Sequence, residues 1–173
     1  IRYSSILITA VLEGCFMQKK ANIEFGRLLH VDLSSGTCSF AQFPEQGKPY
    51  FGGRGFNTWY LYRHLPLNTD PLSPENILIF SCGFLTGSSA PGSARLHINA
   101  LSPLTGILGS SNVGGYVGAW LRSCDIASVI IRGCAAKPVY LSISKGSAQL
   151  KDAGTLWGKD TFQTREKLSD IYP

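Results

Sequence analysis

"ILIFSCGFLTGSSAPGSARLHINALSPLTGILGSSNV", residues 77–113, decides what kind of fold this chain can adopt. "ILIFSCG" (77–83) is a continuous apolar run, as expected of a central strand buried on both faces. "LTGSSAPGSA" breaks it, and "RLHINAL" (95–101) resumes in strict alternation, the period of a half-buried strand. "SPLTG" then turns the chain into "ILGSSNV". No helix separates these segments, so the strict βαβ alternation of a doubly wound sheet is missing. The fold class expected is α+β, with mixed β-sheets and a few short helices.

The flanks agree. "RLLHVDL" (27–33) alternates Leu29, Val31 and Leu33 against His30 and Asp32, and "SSG" turns it into "TCSFAQF", a hairpin. "QGKPYFGGRG" (46–55) reads as loop, "FNTWYLYRHL" (56–65) as a short helix, and "PLNTDPLSPEN" as a proline-punctuated connection. "GGYVGAWLRSC" (114–124) reads as a helix opening on two glycines, with Tyr116 and Trp120 on one side. Around Asn112 the chain reads as an irregular turn leading into that helix. Three short strands follow, "SVIIRG", "PVYLSIS" and "AQLKDA". A closing helix, "DTFQTREKLSDIY", sets Phe162, Leu168 and Ile171 against a charged face.

At 173 residues the chain fits one domain, and 16% charged residues with 19 glycines make its surface unusually quiet. The net charge of +5 includes no basic run and no aromatic–basic interleaving, so nucleic acid is excluded as a partner. Five scattered cysteines without a C-x-x-C pair argue for reduced thiols in a cytoplasmic protein rather than a disulfide framework or a metal site made by this chain. Residues 1–20 carry an apolar run too short to span a bilayer. They read as a leader or upstream extension outside the fold, with Met17 as the natural start and an export signal as the alternative. Residues 21–173 are the folded domain, and no membrane is expected as a partner.

No P-loop, dinucleotide fingerprint, H-E-x-x-H or nucleophile elbow occurs. His30, His64 and His97 stand singly and read as structural: His30 on a solvent-facing strand side, His64 near helix-end carbonyls. What remains is Arg54 in "GGRGF", Arg95 in "GSARLH", and the stretch from Asn112 through Val113 and Gly114 into a predicted helix start. Arginine grips phosphate bidentately, bare amides at a helix start receive anions, and main-chain carbonyls ligate hard cations such as magnesium. Residues 91–120 hold one charge, Arg95, and no Asp or Glu lies between Glu75 and Asp125, so nothing repels a phosphorylated ligand. Tight corners, with Arg95 paired to a distant carboxylate, are the alternative.

With "GRLLHVDLSSGT", "GGRG", "DPLSPEN", "LTGSSAPGSARLHINALSPLTG", "NVGGYVGAWL", "KPVYLSI" and "DAGTLWGKDT" in this order, the chain resembles the N-terminal domain of the tungsten-containing aldehyde:ferredoxin oxidoreductases. The resemblance implies a cofactor-cradle domain, incomplete at its C-terminal end, under a tungsten (or molybdenum) bis-pterin whose phosphates are joined by magnesium. It assigns Arg95 to a pterin, the Asn112 carbonyl to magnesium, Gly114 to a place beside the cofactor and Arg54 to the family's glycine-flanked arginine. Val113 stands where some members have serine, and a main-chain contact there would survive the change. The 4Fe–4S cluster, the substrate channel and the acid–base residues are implied for later domains or a partner subunit, with ferredoxin as electron acceptor. This chain by itself is then expected to be inactive and to have no catalytic residue. The alternative is a non-catalytic anion- or cofactor-binding module that packs on a partner.

Overall fold

A computed structural model describes Ile6, Leu7 and residues 25–172. In chain order the elements are β1 (Ile6–Leu7), β2 (Arg27–Asp32), β3 (Thr37–Ala41), a 3-10 turn (Glu45–Tyr50), α1 (Gly53–His64), β4 (Leu78–Cys82), β5 (Leu96–Leu101), β6 (Leu108–Val113), α2 (Val117–Ser123), β7 (Ile126–Arg132), β8 (Val139–Ser144), β9 (Ser147–Asp152) and α3 (Thr161–Ile171). Six strands form one mixed sheet in the order β3-β2-β7-β4-β5-β6, and three form a smaller one, β1-β8-β9. The α+β expectation holds. The leader assigned to residues 1–20 lies outside the described residues, apart from Ile6 and Leu7, which pair parallel to Val139 and Tyr140.

Residue type explains the layering. In β7, "IASVIIR", every residue but the last is buried, because both faces of the strand are covered. Val129 and Ile131 pack with Leu29, Val31, Leu141 and Ile143 between the large sheet and the small one, with Leu121 of α2 at the end of that layer. Ala127 and Ile130 face the other way, onto Phe56, Tyr60 and Leu61 of α1. The far side of the small sheet takes α3, through Tyr140, Ala153, Leu156 and Leu168. Asp160 caps α3, accepting from the Gln163 N–H at 2.8 Å. Burial of the two central clusters is the chief stabilising term.

Several local expectations change. Residues 46–55 are not one loop: residues 45–50 form the 3-10 turn, and α1 begins at Gly53, so Arg54 and Gly55 are helical. Gly52 permits this close approach: its φ is 72°, and a Cβ there would meet the Cys82 carbonyl oxygen at 2.5 Å. "LGSSNV" is a strand, so Asn112 sits on a sheet edge and not in a turn, and α2 starts at Val117, two residues beyond the double glycine. The backbone bends through Gly114–Tyr116 before it can coil, and Gly115 sits at φ 84°. In α3, Leu168 is buried but Phe162 and Ile171 are exposed, since only a narrow stripe of that helix meets the small sheet. The four described cysteines form no disulfide among themselves; two are buried and Cys134 is exposed.

Candidate functional site

The site is built where β5 and β6 meet the start of α1. Register comes first. The Ser102 N–H donates to the Ile107 carbonyl at 2.8 Å, and the β5–β6 register runs on from there through Leu101↔Leu108 to Leu96↔Val113. Antiparallel pairs alternate, so Leu96↔Val113 and Ile98↔Ser111 exchange main-chain bonds while His97↔Asn112 does not. The Asn112 N–H and carbonyl therefore point away from β5, to the open edge of the sheet that β6 forms. Val113, in contrast, turns its main chain inward to Leu96; what it offers outward is its side chain.

The non-bonded pairing brings the Asn112 and His97 side chains together on one face. Asn112 Nδ2 lies 3.2 Å from each His97 ring nitrogen. Arg95 Nη1 donates to Asn112 Oδ1 at 2.9 Å. Thr86 Oγ1 holds the Arg95 carbonyl at 3.1 Å, fixing the chain just ahead of β5. A Cβ built on Gly114 would meet Arg95 at 4.0 Å, on the guanidinium carbon and Nε, so the bare glycine leaves the flank of that group open. Gly53 closes the site from α1: its φ is 54°, and a Cβ would lie 3.1 Å from His97 Cδ2. Arg54 follows on the same helical turn and is exposed. Beneath, Asn57 Nδ2 donates to Asn99 Oδ1 at 2.8 Å and Asn99 Nδ2 to the Gly109 carbonyl at 3.0 Å, a buried brace that ties α1 to both strands.

Electrostatically the corner is positive. Burial, and after it the guanidiniums of Arg54 and Arg95, push the His97 imidazole below its ordinary value, which keeps it neutral. Among the described residues, Arg27–Asp125 and Lys48–Glu45 are ion pairs, whereas Arg95 bonds the Asn112 amide oxygen and not a carboxylate. Among the described residues no cluster of His, Cys, Asp or Glu is placed to hold a metal. Two exposed arginines without acids suit an anion, and an outward carbonyl suits a hard cation shared with that anion.

The sequence-predicted residues Arg95, Asn112 and Gly114 thus converge, with Arg54 within electrostatic reach of their neighbour His97. What sequence reading passed over is His97. Its signal was the alternation of β5, which places residues 95 and 97 on one face. His64 does lie against a carbonyl, 2.9 Å from that of Tyr60. His30 is not a solvent-facing residue: it is half-buried beside Tyr60, its ring centroid 6.4 Å away.

The family described as aldehyde ferredoxin oxidoreductase, N-terminal domain, matches residues 28–173. The chain belongs to this family. The tungsten-containing aldehyde ferredoxin oxidoreductase of Pyrococcus horikoshii is 40% identical over 84% of this chain and 24% of its own length. The aliphatic sulfonate oxidoreductase, WOR-like subunit, of Pyrococcus furiosus is 34% identical over 83% of this chain and 23% of its own length. Among solved structures, the active-site complex BamBC of benzoyl coenzyme A reductase with 1,5-dienoyl-CoA superposes with a TM-score of 0.82. It is 32% identical, over 86% of this chain and 23% of that one. The chain thus spans about a quarter of the length of these relatives, and its match to the oxidoreductase family runs through the whole β5–β6 corner. Among the described residues no helix is long and apolar enough to cross a membrane.

Proposed function

We propose that this chain is the N-terminal cofactor cradle of a tungsten-containing oxidoreductase that converts aldehydes to carboxylic acids with ferredoxin as acceptor. The observation that carries this reading is the Arg95–Asn112 pair on an open, acid-free sheet edge, with the Asn112 main chain turned outward. Arg95 grips a pterin phosphate, the Asn112 carbonyl ligates the magnesium joining two such phosphates, and Gly114 lets the ligand approach the backbone. Arg54 adds a second positive charge from α1, and Val113 lines the edge with its side chain. The residues fit the group, because both arginines are exposed and, among the described residues, neither pairs with a carboxylate. When bound, a tungsten or molybdenum bis-pterin supplies the redox chemistry, and the protein supplies position and field.

On this reading the 4Fe–4S cluster, the aldehyde pocket and the ferredoxin contact belong to parts of the enzyme beyond these residues, and the protein works in the cytoplasm. Metal and pterin analysis of the native enzyme tests the proposal: tungsten or molybdenum with about two pterins is expected, and their absence would sink it. Arg95→Ala should lower pterin retention and leave the fold intact. The 173-residue chain alone should show no aldehyde-dependent dye reduction. A second reading, a non-catalytic anion- or cofactor-binding module or subunit that packs on a partner, is favoured by the open edge of β6; co-purification of a distinct larger polypeptide would support it.

A further inference from the structure

We infer that His97 is a positioning residue of the anion site: its ring nitrogen accepts from the Asn112 amide and thereby fixes the group that aims Arg95. The functional consequence rests on the anion-binding reading above; the hydrogen-bond polarity does not. An asparagine side chain has one acceptor end and one donor end. Arg95 Nη1, 2.9 Å from Oδ1, commits the acceptor end. Only the NH2 group is left for His97, and it lies 3.2 Å from both ring nitrogens, so in either neutral tautomer one unprotonated nitrogen is within hydrogen-bond distance of it. The reversed amide would set NH2 against a guanidinium, which has donors only. One orientation therefore satisfies all three side chains.

The imidazole is itself held from several directions. Gly53 of α1 lies over Cδ2, and the His97 carbonyl receives Asn57 Nδ2 at 3.3 Å. The register places His97 opposite Asn112 in a pair without main-chain bonds, the kind whose side chains stand closest. The charged groups facing it are Arg54 from α1 and Arg95 from the start of β5. Order thus passes from α1 to His97 on β5, across to Asn112 on β6, and back to Arg95 just ahead of β5. One of the five Arg95 N–H donors is spent on this, and four remain for a ligand. Without the acceptor the amide is free to turn, and the long arginine regains rotamer freedom that a bound anion must then remove.

Inorganic pyrophosphate, titrated calorimetrically into the wild-type chain and its variants, reads the effect on binding. Nitrogen NMR of the Asn112 side-chain amide and of Arg95 Nε reads the polarity without any ligand. His97→Phe keeps a ring but no acceptor, and should weaken pyrophosphate binding about fivefold while moving both resonances. His97→Gln presents an acceptor oxygen and should restore affinity to within about twofold. Asn112→Leu removes the amide at an exposed position and should match His97→Phe, which covers the case in which the ring variant folds poorly. The inference fails if His97→Phe binds as the wild type does, or if His97→Gln is no better than His97→Phe. Wild-type protein that binds no pyrophosphate brings down the anion reading. In that event, unmoved Asn112 amide resonances in His97→Phe bring down the positioning role as well.

Discussion

Strands β7 and β6 lie in one sheet, with β4 and β5 between them, and are specified by opposite demands. β7 is "IASVIIR", buried along all but its last residue. β6 is "LGSSNV", exposed at every position but Gly109. The first is fixed by what it packs against on two faces. The second packs against little and keeps its outer edge open, a state that isolated sheets guard with charge or proline. β6 has neither. Its small, neutral residues leave the edge bare beside Arg95 and Asn112, where the proposed anionic ligand would approach closely. In this sheet the centre carries stability, and the edge is left open for the proposed site.

That contrast can be broken most forcefully at the centre. Ile130→Ala opens a cavity between β7 and α1, and should cost about 2–5 kcal/mol in denaturant unfolding; a loss under about 1 kcal/mol would mean that the α1 layer is not core. Gly52→Ala drives a Cβ onto the Cys82 carbonyl and demands a left-handed backbone, at about 1–3 kcal/mol. A neutral result there would show that the start of α1 adapts and does not hold Arg54 rigidly.

At the edge the readout is binding. Arg95→Ala should weaken pyrophosphate binding about tenfold, the scale of one charge-assisted contact, with an unchanged melting temperature. A fall in stability instead would turn Arg95 into a structural residue. Ionisation separates the regions again. The His30 imidazole, under α1, sits below its ordinary value of 6.5 because of burial, then Arg132 and His64. Unfolded chains take up that proton first, so stability should fall as pH drops through about 6.5, with a slope of less than one proton, and His30→Asn should flatten it. At the other extreme the Cys82 thiol is pushed up to about 12 by burial, so the unfolded state ionises first and stability should fall above pH 9. The smallest effect belongs to β6: Ser110→Ala should change stability by no more than about 0.5 kcal/mol. A larger loss would show that the edge is already part of the core.

Much of this was legible beforehand because it is periodic or compositional. The continuous run at residues 77–83 marked β4, and alternation marked β2, β5 and the β2–β3 hairpin. The absence of acids between Glu75 and Asp125 marked the stretch that holds the proposed anion site. The misreadings cluster where glycine removes the pattern. Glycines at 52, 53 and 55 looked like loop, although two of them open a helix by fitting against β4 and β5. "GSSN" has no apolar alternation, so its pairing with β5 could not be inferred. Phe162 and Ile171 looked core-facing because helical spacing says which residues share a face, but not whether a partner covers it.

By itself the sequence determined the fold class, the family and the residue types offered to a phosphorylated ligand, since these follow from hydrophobic period, motif order and charge inventory. The tertiary structure alone decided how those residues meet. Register turned the main chain of Asn112 outward and that of Val113 inward, because hydrogen bonding in an antiparallel ladder alternates residue by residue. The same register set His97 against Asn112. Only the packing of α1 on β5 brought Gly53 over that ring and made an ordinary strand histidine part of the site, since a contact between segments more than forty residues apart leaves no period in the sequence.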